Sequence, residues 1–216
     1  MFGQNLILKP ENHTGDFLKV VKIFKTLQGE GPFSGEPAIF IRLGGCNLQC
    51  SFCDTEFDKF TNMSLNRILK LIEQKIAKDK INLIVITGGE PLRQPIEKLC
   101  SLLVARKFKV QIETNGTIIR KLPADIYIVC SPKLTNGQYY IKKNLIDFAD
   151  CFKFLLDQKG AYNFVPKLAT NKPIYVQAID SYNKKQNLLN QKFTMKLALK
   201  HGYIYSLQQH KILNIE

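Results

Sequence analysis

Three cysteines lie within eight residues of one another in the stretch GGCNLQCSFCDTEF, residues 44–57. Cys46, Cys50 and Cys53 have the spacing C-x3-C-x2-C, on a loop that follows an apolar run. Thiolates are soft ligands that suit iron–sulfur clusters or zinc. Zinc sites usually combine one C-x2-C pair with a second pair, which this sequence lacks. Three thiolates leave one iron of a 4Fe–4S cluster without a protein ligand, so that iron can bind a substrate or a cofactor.

Two alternatives for these cysteines stay open. A zinc ion can take three thiolates and one imidazole, and the three thiols can also be unligated. The histidines that can serve a zinc ion are His13, His201 and His210. Free cysteines within helix or strand patterns are usually buried, so we expect the remaining three in the core and no second cluster. These three are Cys100, Cys130 and Cys151.

A second motif, TGGEP at residues 87–91, directly follows an apolar run. Two adjacent glycines let the backbone approach a ligand closely. Taken alone, two glycines after a strand indicate only a turn. Together with the cysteine loop, they predict that the end of this strand belongs to the same site.

The apolar pattern around these motifs alternates between strand-like runs and amphipathic helical segments. Strands are predicted at 20–24, 38–43, 81–87 and 108–114, in runs ending at Cys130, Leu156 and Ala178, and at 203–208. Helices are predicted after Ser64, which can cap the segment, and at 95–106 and 185–200. This alternation predicts an α/β fold with a largely parallel sheet of about six strands.

Five polar motifs stand at the downstream ends of the predicted strands. They are GGCNLQC, TGGEP, ETNG, CSPK and QAID. In parallel α/β sheets and barrels, ligands bind at the edge where strands end. We therefore expect all five motifs to face one mouth.

Length and net charge indicate how many domains to expect and which kind of partner the protein favours. The chain has 216 residues and a net charge of +13, and we expect a single domain over residues 1–216. No run suggests a membrane span or signal peptide, which favours a cytoplasmic protein with reduced cysteines. The positive charge favours an acidic partner. Because the lysines are scattered rather than clustered, they fit a solvated surface, and we expect no direct nucleic-acid binding.

The cysteine spacing resembles the signature of the radical S-adenosylmethionine (SAM) enzymes, with the aromatic Phe52 before the last cysteine. The segment TLQGEGPFSGEPAIFIRLGGC at 26–46, together with CDT, TGGEP, ETNGT, CSPK and SLQQHK, closely resembles the 7-carboxy-7-deazaguanine synthase family. The resemblance spans nearly the whole chain. It implies a partial (β/α) barrel of the radical SAM type.

The resemblance also implies an activity. This family consists of carbon–nitrogen lyases that convert 6-carboxy-5,6,7,8-tetrahydropterin to 7-carboxy-7-deazaguanine and ammonia, a step of queuosine (deazapurine) biosynthesis. In the superfamily a reduced 4Fe–4S cluster cleaves SAM, and the resulting radical takes a hydrogen atom from the substrate. The family also uses Mg²⁺. We expect a flavodoxin or ferredoxin-type reductant and a homodimer.

The family motifs carry residue roles onto this sequence. The expected cluster ligands are Cys46, Cys50 and Cys53. The expected SAM-binding residues are Phe52, Cys53, Asp54, Gly89, Glu90, Ser131, Pro132 and Lys133. The expected substrate-binding residues are Leu27, Gln28, Gly29, Glu30, Arg42, Thr87, Gln177, His210 and Glu216. Thr55 is the expected Mg²⁺ ligand, and no catalytic side chain is assigned.

Each of these roles has a physical basis and a simpler alternative. Arg42 can meet a substrate carboxylate with its planar fork, or form a surface salt bridge. Gln28 and Glu30 can pair with a pterin edge, or belong to a solvated turn. The Thr55 hydroxyl suits Mg²⁺, or can cap a turn. The terminal carboxylate of Glu216 can reach the substrate, or end a frayed tail.

Two other functions fit parts of the sequence. A glycyl-radical activase would share the cysteine loop but act on a protein, and it would lack the QGEG segment and Arg42. A metal-containing nucleic-acid-binding module would account for the charge, but no basic stripe with interleaved aromatic residues is present. Turnover of the carboxytetrahydropterin distinguishes the first alternative, and analysis for iron and sulfide against zinc distinguishes the second.

Overall fold

A nine-stranded sheet organises the computed structural model, which describes residues 5–216. A separate two-stranded hairpin lies after the sixth strand. The strands are β1 Phe17–Leu27, β2 Pro37–Leu43, β3 Thr61–Ser64, β4 Leu83–Gly88, β5 Lys109–Thr114, β6 Ile126–Cys130, β7 Leu134–Thr135, β8 Gln138–Tyr139, β9 Cys151–Leu156, β10 Ile174–Ala178 and β11 Ile204–Ser206. The helices are α1 Leu65–Ile76, α2 Glu97–Ala105, α3 Lys143–Phe148, α4 Lys184–His201 and α5 Gln209–Leu213.

The strand order in the sheet is β11-β10-β9-β6-β5-β4-β2-β1-β3. Every pair from β2 to β11 is parallel, whereas β1 and β3 add to one edge in antiparallel fashion. The predicted α/β class and largely parallel sheet are confirmed. The sheet has nine strands where about six were expected: seven are parallel, and β1 and β3 add in antiparallel fashion.

The sheet curls so that its two edges approach each other. In a flat sheet β1 and β11 would lie roughly 34 Å apart, since neighbouring strands are separated by about 4.8 Å. Instead, the segment after β1 touches the end of β11, where Gly31 N donates to Ser206 Oγ at 3.0 Å. Gln209 N, in the segment after β11, donates to Gly29 O at 3.0 Å. These contacts agree with the expected partial barrel.

Alternating side chains give the sheet two different faces. One face packs its isoleucines, such as Ile39, Ile41 and Ile86, against the helices in the main hydrophobic core. Charged and polar residues point to the opposite face, as Lys153 does between Phe152 and Phe154 on β9 and Glu113 does after Ile112 on β5. The polar face is therefore the inner face of the curl.

The helix ends follow the predicted sequence signals. Ser64 Oγ accepts from Arg67 N at 3.4 Å and begins α1. The buried side chains of α1 share one face and are Leu65, Ile68, Leu69 and Ile72. Gly202, with φ of 71°, ends α4 in the left-handed conformation that glycine adopts at little cost.

Several elements differ from the prediction, among them the hairpin β7–β8, which was not predicted. The last strand ends at Ser206, because the chain turns into α5 there. The strand β3 and the helix α3 were not predicted, since each is short and is held by contacts with distant segments.

None of the helices within residues 5–216 combines the length and the hydropathy needed to cross a bilayer.

Candidate active site

Residues at the downstream ends of β2, β4, β5, β6, β9 and β10 surround a cavity of about 210 Å³. Cys46 follows β2, and Thr87 is the penultimate residue of β4. Glu113 comes from β5, Ser131 follows β6, and Gln177 comes from β10. The structure thus brings all five polar motifs to one mouth, as the sequence predicts.

The three cysteines of the loop after β2 all line this cavity as free thiols. Leu48 N donates to Cys46 Sγ at 3.4 Å, and Cys53 N donates to Cys50 O at 3.1 Å. Within residues 5–216, no three His, Cys, Asp or Glu side chains are grouped to hold a single metal ion. A 4Fe–4S cluster takes each thiolate on a separate iron, so three thiols around one cavity fit the protein ligands of such a cluster.

Burial governs the electrostatics of these thiols. It raises the pKa of all three, that of Cys46 to about 11. At neutral pH the thiols are therefore protonated, unless a positively charged metal centre stabilises their thiolates. Soft sulfur donors around a water-accessible cavity are the ligand set that an iron–sulfur cluster requires. Cys100, Cys130 and Cys151 are buried elsewhere, as predicted.

The TGGEP segment packs directly against the cysteine loop. A Cβ atom on Gly89 would lie 2.2 Å from Gly45 O and 2.9 Å from Cys46 Cβ, so only glycine fits there. Glu90 N donates to Gly45 O at 3.0 Å. The two glycines thus bring the end of β4 into contact with the backbone at the first cysteine.

Glu90 is buried below the cavity wall and does not line the cavity. Its carboxylate accepts from Leu92 N at 2.9 Å, Thr114 Oγ1 at 2.7 Å and Asn115 N at 2.7 Å. Burial raises the pKa of Glu90, and these donors oppose the shift. In this structure the glutamate of GGEP joins its own motif to the ETNG motif.

Two buried residues that the sequence did not predict hold the start of the cysteine loop. Arg93 pairs with Glu11 at 2.7 Å and donates to Gly44 O at 3.1 Å. Gln94 Nε2 also donates to Gly44 O at 3.1 Å. Their signal in the sequence is weak: two long polar residues in the otherwise apolar run after TGGEP.

Most of the residues expected to bind SAM share the cysteine side of the cavity. Those lining it are Phe52, Cys53, Asp54, Gly89, Ser131 and Lys133, whereas Glu90 and Pro132 do not line it. Lys133 Nζ donates to Ser131 Oγ at 2.8 Å, and burial lowers the pKa of this lysine. The Phe52 ring meets Tyr162 edge-on, with 4.9 Å between centroids.

The opposite side of the cavity is a network of polar side chains. Glu30 forms an ion pair with Lys153 and accepts from Gln208 Nε2 at 2.9 Å. Glu113 accepts from Gln28 Nε2 at 2.9 Å and from Thr87 Oγ1 at 3.2 Å. The sequence predicted Glu30, Gln28 and Thr87 but not the two charged partners. Glu113 was visible only as part of ETNG, and Lys153 only as a lone charge in the apolar run CFKFLL.

Several expected substrate-binding residues lie outside the cavity lining. They are Leu27, Gln28, Gly29, Arg42, His210 and Glu216. The Arg42 guanidinium carbon lies 5.2 Å from the Phe24 ring centroid, and its buried Nε has no hydrogen-bond partner among residues 5–216. His210 packs against Gly29, where an added Cβ would come within 2.5 Å of the histidine ring.

The C-terminal segment is tied to both β1 and the cysteine loop. Glu216 O accepts from Thr26 Oγ1 at 2.6 Å, and the Glu216 side chain pairs with Lys22. Lys211 on α5 pairs with Asp54 at 3.0 Å and with Asp180, two residues after β10, at 2.9 Å. The tail is therefore anchored beside the site rather than frayed.

Comparison with known proteins decides the family. The Radical SAM superfamily model matches residues 40–128. The 7-carboxy-7-deazaguanine synthase of Rickettsia prowazekii is 46% identical, over 100% of this chain and 96% of that protein. The synthase of Rhodospirillum rubrum is 36% identical, over 100% of both. The chain belongs to the 7-carboxy-7-deazaguanine synthase family.

A solved structure agrees with this assignment. The crystal structure of QueE from Escherichia coli is similar, with a TM-score of 0.73 and 26% identity over 89% of this chain and 94% of that one. As a member of the 7-carboxy-7-deazaguanine synthase family, the chain is a radical SAM enzyme, and membership implies a 4Fe–4S cluster and SAM. The resemblance drawn from the sequence is confirmed, and it is favoured over the activase and nucleic-acid-binding alternatives.

Proposed function

We propose that the chain converts 6-carboxy-5,6,7,8-tetrahydropterin to 7-carboxy-7-deazaguanine and ammonia. One observation carries this proposal beyond the family name: a single cavity has three thiols on one side and paired carboxylates on the other. A pterin has several N–H groups along its pyrimidine edge, and carboxylates are their natural acceptors. The cavity therefore offers a place for both cofactor and substrate.

On the cofactor side, Cys46, Cys50 and Cys53 would hold the cluster. When bound, the cluster and SAM supply the radical that removes a hydrogen atom from the substrate. SAM would lie against the cysteine side, where Asp54 and Lys133 offer opposite charges to its amino and carboxylate groups. Further expected contacts on this side are Phe52, Gly89, Ser131 and the backbone at Glu90 and Pro132. The chain's own task is to orient these groups and to exclude water.

On the substrate side, Glu30, Thr87 and Gln177 line the cavity and would accept or donate hydrogen bonds to the pterin. Behind them, Leu27, Gln28, Gly29 and His210 would support this arrangement. Arg42 pairs across the sheet with Thr87. Arg42 and Glu216 do not line the cavity, so direct contact of either residue with the substrate would require a rearrangement.

We also propose a Mg²⁺ site at the mouth, with Thr55 as a protein ligand. Its Oγ1 lies 3.4 Å from Asp54 Oδ1, and both residues line the cavity. Mg²⁺ binds oxygen ligands, keeps several waters and needs few protein groups. Substrate oxygens and water would complete its shell.

The remaining proposals concern partners and location. The net charge of +13 favours docking of an acidic flavodoxin or ferredoxin-type reductant. The reducing cytoplasm suits an enzyme whose three cysteines must stay free of disulfides. There we expect a homodimer of single-domain chains, as the family resemblance implies. Reduction by the protein donor should slow as salt rises, because salt screens the attraction between surface charges.

The test of the proposed function is an anaerobic assay. Reconstituted protein is mixed with SAM, dithionite and the carboxytetrahydropterin, and the products are separated and identified by mass. We expect 7-carboxy-7-deazaguanine and ammonia, and neither from the Cys50→Ala protein or without SAM. Failure of fully reconstituted wild-type protein to form the deazaguanine would overturn the proposal.

A further inference from the structure

A lysine is buried inside the cavity, on the middle of β9. Lys153 is 5% exposed and lines the cavity, while its neighbours Phe152 and Phe154 turn to the other face and join the hydrophobic core. An unpaired ammonium in such a place is strongly unfavourable, so buried lysines are paired. The partners of Lys153 therefore indicate what it does.

Two carboxylates share this one buried cation. Lys153 Nζ donates to Glu30 Oε2, and the charge of Glu113 lies close enough to raise the pKa of the lysine further. Glu113 also accepts from Gln111 Nε2 at 3.0 Å. Gln208 Nε2 donates to the second oxygen of Glu30 at 2.9 Å. Lys153 thus compensates the charge of a carboxylate pair that faces the cavity.

The charge state of Glu30 depends on this lysine. Burial by itself would raise the pKa of Glu30, but the charge and hydrogen bond of Lys153, with smaller contributions from the Gln208 hydrogen bond and from His210, outweigh burial and lower the pKa to about 2. Two buried carboxylates without a cation tend to share a proton, because like charges disfavour ionisation. A protonated carboxyl presents an O–H donor where the carboxylate offers only acceptors.

We propose that Lys153 is a positioning residue that keeps Glu30 ionised and aimed into the cavity, so that Glu30 accepts hydrogen bonds from the N–H groups of the substrate. This inference rests on the proposed function. It assigns Lys153 an action through Glu30, because the Lys153 ammonium is already directed at the Glu30 carboxylate. Direct binding of a substrate carboxylate by Lys153 is a different arrangement, and the test separates the two.

The test is a double-mutant cycle on the reconstituted enzyme. Lys153→Met removes the ammonium and keeps most of the side-chain volume, and Glu30→Gln removes the carboxylate charge. Wild type, both single variants and the double variant are compared for cluster content, SAM binding, equilibrium binding of the carboxytetrahydropterin, kcat and KM. Lys109→Met is the matched control, since Lys109 pairs with Glu36 at 2.8 Å on the same face of the sheet but outside the cavity.

We expect Lys153→Met to weaken pterin binding by about tenfold or more, because an acceptor is lost or turned away. Cluster content and SAM affinity should stay at the wild-type level, as should every property of Lys109→Met. The double variant should bind within about twofold of the weaker single variant, since residues that act as one unit are not additive. Unchanged pterin binding in Lys153→Met or Glu30→Gln would overturn the inference, and so would effects that multiply in the double variant.

Lys153→Met alone leaves a buried carboxylate without its cation and can fail to fold. In that case Glu30→Gln is compared with the double variant, in which no such carboxylate remains. Equal pterin affinity supports the inference, and a further tenfold loss overturns it. If the wild-type protein neither binds nor converts the pterin, the proposed function and this inference are both overturned. If the wild-type protein turns the pterin over, and the Glu30→Gln and double variants bind and convert it as well as wild type does, only the inference is overturned.

Discussion

The two sides of the cavity are built in different ways. On the cysteine side, the backbone sets the shape: Gly89 lies directly against Gly45, and Arg93 holds Gly44 O through a buried guanidinium. On the opposite side, charged side chains hold one another, with Lys153 paired to Glu30. Close backbone packing sets the position of the cysteine loop, whereas the side-chain network sets the charge on the carboxylates that face the cavity.

The difference predicts how each side fails. A change on the cysteine side should displace the cluster and remove the chemistry, since the ligands cannot rearrange independently of the backbone. A change on the polar side should leave the cluster in place and weaken substrate binding. Measuring cluster content and pterin affinity in the same variant therefore locates a defect on one side or the other.

The largest effect is expected from the cysteine ligands. Ala in place of Cys46, Cys50 or Cys53 should abolish the 4Fe–4S absorbance and all turnover, because in the proposed site each thiolate would hold its own iron. Iron, sulfide and absorbance after anaerobic reconstitution measure this. Cys100→Ala is the control and should keep a full cluster, since Cys100 is buried in the core. Full cluster retention in the Cys50→Ala protein would refute the ligand assignment.

The second prediction concerns the close contact of two backbones. Gly89→Ala places a Cβ within 2.2 Å of Gly45 O, so the cysteine loop must move. A displacement of about 1 Å can cost on the order of 100-fold in rate, and we expect a loss of that size together with reduced cluster content. Gly137→Ala is the control, because its Cβ meets open space and only its φ of 75° is strained. Equal activity of the two variants would show that the contact is unimportant.

The third prediction concerns the buried guanidinium. Arg93→Met removes a 2%-exposed guanidinium that pairs with Glu11 and donates to Gly44 O and Lys9 O, so we expect a loss of about 3 kcal/mol in the free energy of unfolding. Urea denaturation of the cluster-free protein measures it. Arg106→Met removes an exposed pair with Glu73 at 3.9 Å and should cost less than about 1 kcal/mol. Similar losses in both variants would mean that burial of Arg93 contributes nothing specific.

On both sides, the sequence revealed the contiguous motifs but not the buried charged residues that hold them. The cysteine loop and its glycines are contiguous motifs, so spacing predicted that they belong to one site, and periodicity and Ser64 predicted α1. Lys153 was not predicted, because a single charge in an apolar strand does not show which face it meets. Arg93 was missed because its partners, Glu11 and Gly44, are distant in sequence. Long-range pairing of side chains has no local signal.

The fourth prediction tests the polar side through the C-terminus. Deleting residues 213–216 removes the contact of Glu216 O with Thr26 and releases α5, which is too short to hold itself. We expect KM for the pterin to rise about tenfold, with an unchanged cluster. Glu216→Ala is the control, because it removes only an exposed pair with Lys22 and keeps the terminal carboxylate. Unchanged KM in the deletion variant would show that the tail does not contribute to substrate binding.

The smallest effect is expected from Thr55, which follows the cysteines in sequence but faces the cavity with its hydroxyl next to Asp54. Thr55→Ala should raise the Mg²⁺ concentration for half-maximal activity about threefold, because one of several oxygen ligands is lost. Thr55→Ser keeps the hydroxyl and should restore the wild-type titration. Cluster content should be full in both variants, since no thiolate or backbone contact is removed. Loss of the cluster in Thr55→Ala would show that Thr55 supports the cysteine side of the cavity. An unchanged Mg²⁺ titration would show that Thr55 is not a Mg²⁺ ligand.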